Sequence, residues 1–266
     1  LLFNKEALNN LRYGMKHSIP ISTSMKLLKH FTFSPSINLT ERWYLSQIQK
    51  RWNGTSLITD TISKFTRAHS YSLSTNLNTK IYGTIMLKKT KIAAIRHVIN
   101  PNISFTYKPD FSDSKYGYYK SVQTDSIGNF QEYSIMQNGI YGSPSKGKNG
   151  NINLSISNIL EMKIRSKKDT VSLKKVKIFE NLNISSSYNI FKDSLNLSMI
   201  NLNARTRLLN IFDINFSSRY DPYISNSQNN NNLNQLEINT NNRIARLTSI
   251  TTSVGVNLNN KTFSKN

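Results

Sequence analysis

At 266 residues the chain is long enough for one large domain. Its hydrophobic share, 37%, is low for a sheet or helix buried on every side, while aromatics at 10% exclude a disordered polymer. The absence of cysteine excludes a disulfide framework and thiolate metal sites, and 35 Lys+Arg against 14 Asp+Glu leave a net charge of +21. Two readings of that excess stand side by side. One is attraction to anions such as nucleic acid, anionic lipid or glycolipid phosphate; the other is a Lys- and Asn-rich composition, to which the run Asn229 to Asn232 belongs. No run of about 18 apolar residues exists, which excludes a conventional transmembrane helix and leaves strands that cross a membrane open. The opening Leu1-Leu2-Phe3-Asn4-Lys5 is not a signal peptide and reads as the start of a piece of a longer protein.

In chain order, the first regular pattern runs from His17 to Leu45. Ile19, Ile21, Thr23 and Met25 alternate with Ser18, Ser22, Ser24 and Lys26. After Leu28-Lys29-His30, the residues Phe31, Phe33, Ile37, Leu39, Trp43 and Leu45 share one parity. Thr32, Ser34, Ser36, Asn38, Thr40 and Arg42 take the other. Side chains on a strand alternate between faces, so this predicts an antiparallel hairpin with one greasy face and one face suited to water rather than to a second layer. Gln47 to Thr66, with Asn53-Gly54 inside it, reads as a long loop. A third strand carries Tyr71, Leu73, Thr75, Leu77, Ile81 and Ile85, and a fourth, after the basic turn Lys88 to Lys91, carries Ile95, Ile99, Ile103, Phe105 and Tyr107. From Pro109 to Gly150 the alternation dissolves into a loop rich in Tyr, Ser, Gly and Lys.

The fifth strand puts Ile152, Leu154, Ile156, Leu160, Met162 and Ile164 against Asn151, Asn153, Ser155, Ser157, Glu161, Lys163 and Arg165. A Lys-rich connection then leads to a sixth strand with Leu182, Ile184, Tyr188 and Ile190. The seventh carries Leu202, Ala204, Thr206 and Leu208; a tight turn near Asn210 leads to the eighth, with Phe212, Ile214, Phe216 and Tyr220. Pro222 to Asn242 is another polar loop before a last strand with Ile250, Val254, Val256 and Leu258. About nine strands of bilayer-crossing length, with short and long connections largely alternating, predict an all-β, antiparallel transmembrane barrel in partial form. Its short turns would be periplasmic and its long loops extracellular.

The aromatics fit two membrane-interface girdles. Trp43, Tyr71, Tyr107, Tyr188 and Tyr220 fall on the apolar parity at the long-loop ends, and Phe31, Phe33 and Phe212 do so at the short-turn end. Pro20, Pro35 and Pro101 lie inside strands, where each forfeits a ladder hydrogen bond. Glu41 falls on the apolar face and is affordable there only at the interface.

No catalytic constellation is visible and no metal or cofactor site is expected, so the chain does not read as an enzyme. His17, His30, His69 and His97 are scattered. Gly142 to Gly147 lacks the ending of a phosphate loop, and Asp110, Asp113 and Asp125 fit no EF-hand spacing. The group with chemical meaning is basic. Arg42, Lys80, Arg96, Lys108, Lys163, Arg165, Arg205, Arg207 and Arg219 share the polar parity and so would line a barrel lumen. Either a wet interior simply tolerates them, or their forks attract the phosphates of an anionic head group.

Local sequence goes further than periodicity. His17-Ser-Ile-Pro-Ile-Ser-Thr-Ser24, Thr40-Glu-Arg-Trp-Tyr44, Thr79-Lys-Ile-Tyr-Gly83 and Ile95-Arg-His-Val98 resemble the barrel of LptD (OstA-like) lipopolysaccharide-assembly proteins in their Bacteroidetes form. So do Pro109-Asp-Phe-Ser-Asp113, Lys115-Tyr-Gly-Tyr-Tyr119, Met162-Lys-Ile-Arg-Ser-Lys-Lys-Asp169 and Asn203-Ala-Arg-Thr-Arg207. The resemblance implies a bacterial outer-membrane protein that inserts lipopolysaccharide into the outer leaflet. Its expected partners are lipopolysaccharide, outer-membrane lipid, an LptE-like plug lipoprotein and the periplasmic bridge that supplies the lipid. It implies that residues 1–266 are a barrel fragment without the family's periplasmic jelly-roll domain and terminal strands. Two competing readings are another outer-membrane barrel (a porin or uptake receptor) and a soluble basic β protein for nucleic acid. The second is disfavoured, since aromatics and bases lie on opposite parities, and no nucleic-acid partner is expected.

Overall fold

A computed structural model describes residues 12–88, 90–165, 173–208, 211–226 and 231–257. The strands in chain order are β1 (Gly14–Ser22), β2 (Met25–Leu27), β3 (Phe31–Trp52), β4 (Leu57–Asn78), β5 (Ile81–Met86), β6 (Ile92–Lys108), β7 (Tyr119–Gln123), β8 (Phe130–Ser134), β9 (Asn149–Arg165), β10 (Leu173–Asn189), β11 (Ile200–Leu208), β12 (Phe212–Asp221), β13 (Tyr223–Ser225), β14 (Asn232–Leu236) and β15 (Arg246–Val256). Among the described residues, helix is confined to single turns at Ser114–Tyr116 and Glu237–Asn241. The main sheet runs β1-β3-β4-β6-β9-β10-β11-β12-β15, nine strands each beside the next in sequence, with β2 pairing β3 and β5 pairing β6. This is an antiparallel all-β meander, and among the described residues β1 and β15 are its edges.

Register follows the period-two pattern. Ile19 pairs Leu39, Ile21 pairs Ile37 and Met25 pairs Phe33, so the greasy residues of the first hairpin share a face. Ile156 pairs Ile184, and Ile214 pairs Val254. The prolines leave their mark where expected. Thr23 donates to the Pro35 carbonyl (3.2 Å) and Thr79 to the Pro101 carbonyl (3.3 Å). Neither proline has an N–H to return, and strand geometry lapses at residues 23–24 and 79–80 opposite them.

By internal packing the chain divides into two units. One takes Leu1–Thr23, Pro35–Ser74 and Thr106–Asn149; the other takes Ser24–Ser34, Thr75–Phe105 and Gly150–Asn266. In the first unit the expected loop from Gln47 to Thr66 is largely strand. β3 and β4 are each 22 residues long and place 18 residues each in this unit (Pro35–Trp52 and Leu57–Ser74), roughly 60 Å at about 3.3 Å per residue. A four-residue turn joins them, held by Asn53 Oδ1 accepting from the Thr55 and Ser56 amides. Such strands far exceed what a hydrocarbon layer of about 30 Å requires.

The segment from Pro109 to Gly150 is likewise folded, around the β7–β8 hairpin. Its Phe111, Tyr118, Val122, Tyr133, Ile135 and Met136 bury against Tyr44, Ile48 and Ala68 of β3 and β4. Those three strand residues have even numbers, the parity expected to face water. Along this stretch the polar parity therefore does carry a second packed layer, because side chains from the chain's own loop cover it.

In the second unit β10 begins at Leu173, inside the expected Lys-rich connection. Two successive bulges separate Lys177↔Glu161, Phe179↔Leu160 and Leu182↔Asn158. The first sends Phe179 to the face of Leu160 and Glu180 to the polar face, and the second restores the earlier parity. The expected polar loop from Pro222 to Asn242 holds the short β13–β14 pair and the Glu237–Asn241 turn. The turn near Asn210 and Leu258 of the last strand lie outside the described residues, although Leu208 pairs Phe212 directly across that turn.

Candidate functional site

The nine basic residues of the polar parity are not equivalent once their partners are known. In the first unit, Arg42 donates to Ser70 Oγ (2.9 Å) and to the Tyr141 carbonyl (3.3 Å). Lys108 donates to Ser145 Oγ (2.6 Å) and the Lys146 carbonyl. Both tie the long loop to the strands. In the second unit, Arg207 Nε lies 2.6 Å from Asp213 Oδ1, and Arg205 reaches Glu180 (3.6 Å) and Asp213 (3.8 Å). These two guanidiniums are held by carboxylates rather than open to a ligand. Lys80 and Arg219 are exposed.

Arg96, Lys163 and Arg165 come together in a cleft of about 820 Å³ at the short-turn end of β5, β6, β9 and β10. Lys175 and Glu161 join them, with Tyr82, Thr84, Met86, Ala93 and Ala94 on the remaining walls. Arg165 donates to the carbonyls of Leu87 (2.9 Å) and Thr90, so it fastens the turn between β5 and β6. The Arg96 guanidinium lies 5.2 Å from the centre of the Tyr82 ring, a cation–π contact. Lys175 Nζ sits 2.9 Å from Glu161 Oε1, and the Glu161 residue is only 8% exposed. Lys163 stands directly opposite Lys175 in the ladder, an unfavourable like-charge pair. Arg96 and Lys163 have no hydrogen-bond or ion-pair partner among the described residues.

Sequence reading missed Lys175 and Glu180 because it placed both in a connection. The alternation of Lys175 and Lys177 with Val176 and Ile178 was the available signal. Glu180 carried no such signal, since only the bulges put it beside Arg205.

The aromatics divide as well. Phe31 and Phe212 are exposed at the short-turn end, where Phe31 pairs Leu27 and Phe212 pairs Val256; Phe33 is half-buried opposite Met25. Tyr188 is exposed opposite Ile152, and Tyr220 is half-buried opposite Ile200. Tyr71 and Tyr107 have protein neighbours. Tyr71 meets Phe111 edge-on at 5.8 Å, and Lys148 lies 6.0 Å from the Tyr107 ring centre. Trp43 donates through Nε1 to Glu41 Oε1 (2.7 Å), Arg67 pairs the same carboxylate, and His17 packs edge-on to the indole at 4.8 Å. Glu41 is thereby neutralised on the apolar parity.

The loop aspartates hold turns. Asp110 accepts from the Ser112 hydroxyl and amide and from the Gly147 amide, and Asp125 accepts from the Asn129 and Ile127 amides. The Ser112 hydroxyl bond, above all, holds the Asp110 carboxyl below the usual carboxylate range, and the Asn129 amide does the same for Asp125. The histidines stay apart. His69 meets the Tyr118 hydroxyl at 3.0 Å, and His97 meets Asn158 Oδ1 at 3.1 Å.

Rows of apolar side chains lie exposed on the other face. They include Ile19, Ile21, Ile37 and Leu39 in the first unit, and Ile85, Ile103, Leu154, Ile156 (44% exposed), Ile250 (56%) and Val254 in the second. No helix among the described residues is long and apolar enough to cross a membrane, so any crossing would fall to strands. No curated protein and no solved structure matches the chain. A family model described as LptD protein matches residues 1–223, most of the chain. With that match the chain belongs to the LptD family, whose members are outer-membrane components of lipopolysaccharide transport and assembly.

Proposed function

We propose that the protein is a transmembrane β-barrel component that inserts lipopolysaccharide into the outer leaflet of the bacterial outer membrane. In this reading the nine-strand meander crosses the bilayer with its short turns in the periplasm and its long hairpin and loops outside. The observation that carries it is the segregation of faces. Soluble proteins rarely leave extended apolar patches open to solvent, yet here Ile and Leu rows lie exposed on strand after strand, backed by Ser, Asn and Arg on the alternate parity. Lipid contact resolves that arrangement, and a wet interior suits the polar rows. The expected partners are lipopolysaccharide, a plug lipoprotein of the LptE kind and the periplasmic bridge proteins; the resemblance to the Bacteroidetes form supports a source in that group. The chemistry is transport, with no bond of the cargo made or broken.

The test uses the intact protein in vesicles, with its periplasmic suppliers added. Lipopolysaccharide is expected to appear on the far leaflet at a rate set by the protein. Steady solute or ion conductance with no lipopolysaccharide delivered would assign the barrel to the porin or uptake class instead.

A further inference from the structure

We propose that the cleft of β5, β6, β9 and β10 binds the phosphorylated head group of an amphiphile as it enters from the short-turn side, and that Glu161 is the counter-charge the phosphate displaces from Lys175. The inference rests on the transport reading above and adds the chemistry recognised at one place in it.

Five observations carry it. The cleft gathers four cations around a single carboxylate, and that carboxylate is nearly buried. Of the four, Arg165 is committed to backbone carbonyls and Lys175 to Glu161, while Arg96, against the Tyr82 ring, and Lys163 have no ion-pair or hydrogen-bond partner among the described residues. The ladder sets Lys163 across from Lys175, a pairing that costs energy until an anion lies between them. An arginine fork beside lysine ammoniums matches phosphoryl oxygens. Part of the wall is apolar, with Met86 of β5 and Ala93 and Ala94 of β6 beside Arg96. An inorganic ion gains nothing from that wall, whereas an amphiphile can place the start of its lipid there. The volume, about 820 Å³, holds a head group rather than a lone ion.

Glu161 sets the strength of this binding. With no cargo it neutralises Lys175 and makes the crowded cations tolerable. When a phosphate arrives, Lys175 exchanges one anion for another, so the net gain stays modest and the cargo can leave. A transport site must release what it accepts.

The experiment measures equilibrium binding to the intact protein in detergent, with three probes: phosphorylated lipopolysaccharide, the same lipid after phosphatase treatment, and inorganic pyrophosphate. The phosphorylated lipid is expected to bind most tightly. R96S and K163S together should weaken it roughly ten- to hundred-fold, and K163S alone should weaken it less. E161Q should tighten it several-fold. Lys120→Ser, a charge removed from β7, should leave it unchanged. Binding unaffected by R96S/K163S, or equally tight for the phosphatase-treated lipid, would overturn the site. Pyrophosphate binding as tight as the lipid would overturn the role of the apolar wall. Weaker binding by E161Q, in protein whose heat-modifiable folding matches the wild type, would overturn the displaceable counter-charge. Delivery by the unmodified protein, measured in parallel, separates these outcomes from failure of the transport reading.

Discussion

Tyr44 and Gly139 are fitted to each other closely enough that one methyl group decides the contact. Tyr44 is 2% exposed and donates its hydroxyl to the Gly142 carbonyl at 2.7 Å. A Cβ at position 139 would lie 2.6 Å from Tyr44 Cε1. Gly139→Ala should therefore push the ring out of its pocket and cost about 1–3 kcal/mol of the loop's local stability. Limited proteolysis of the 109–150 segment should become faster, while strand protection stays as in the wild type. Acid should act on the same segment by another route. Asp110 and Asp125 have folded pKa values held below those of the unfolded chain, so their contribution is complete above the ordinary carboxylate range and is lost as pH falls through the depressed values. Amide protection at Ser112, Gly147 and Asn129 should hold flat from neutral pH to about 5 and decline below about 4. Asp110→Asn should remove part of that decline. These residues left little trace in sequence: an aspartate two residues before a serine marks a turn, but not that Gly147 closes it.

At the scale of elements, legibility followed the solvent on each face. Where one parity stays apolar and the other polar along a strand, alternation is clean, and the strands carrying Ile19, Ile103, Ile156 and Ile214 were readable from their periodicity. Beyond Tyr44 the apolar parity inverts. Tyr44, Ile48 and Ala68 are even-numbered and buried by the chain's own loop, while Leu45 and Phe65 are exposed on the odd face. An inversion in mid-strand reads as loss of pattern, which is why Gln47 to Thr66 passed for a loop. The bulges of β10 hid Glu180 in the same way. The prolines give this scale its test. In Pro35→Ala the new amide can return the bond that Thr23 already donates, a gain of about 0.5–1.5 kcal/mol that the loosened unfolded chain offsets by about 0.4–1 kcal/mol. Global stability should thus change little. Hydrogen exchange should instead show one additional slow amide at position 35, and exchange there at the rate of an open chain would show that the ladder does not close.

For the whole molecule, family membership and face segregation agree, and they came from different features of the chain. The family rests on the match over residues 1–223; the lipid-facing reading rests on the alternation of residue types and on the exposure of the apolar parity. The basic group was legible as a set, but its division was not. Arg205 and Arg207 stand two residues apart in sequence, and the structure engages both with Asp213. Arg96 and Lys163, without ion-pair partners among the described residues, share a cleft that depends on which strands are neighbours. Sequence spacing carries no information about that until the meander is known.

In the proposed reading, alternate residues of each strand meet lipid and water. Nitroxide labels placed singly at Ser155 and Ile156 of β9, and at Ile184 and Ser185 of β10, test it in the intact protein within a bilayer, because Ile156 pairs Ile184 and Ser155 pairs Ser185. Collisions with dissolved oxygen and with a water-soluble nickel complex are then compared at each site. The account predicts high oxygen and low nickel accessibility at both isoleucine positions, with the reverse at both serines. Equal nickel accessibility at all four, or isoleucine labels immobilised against protein and reached by neither reagent, would contradict it.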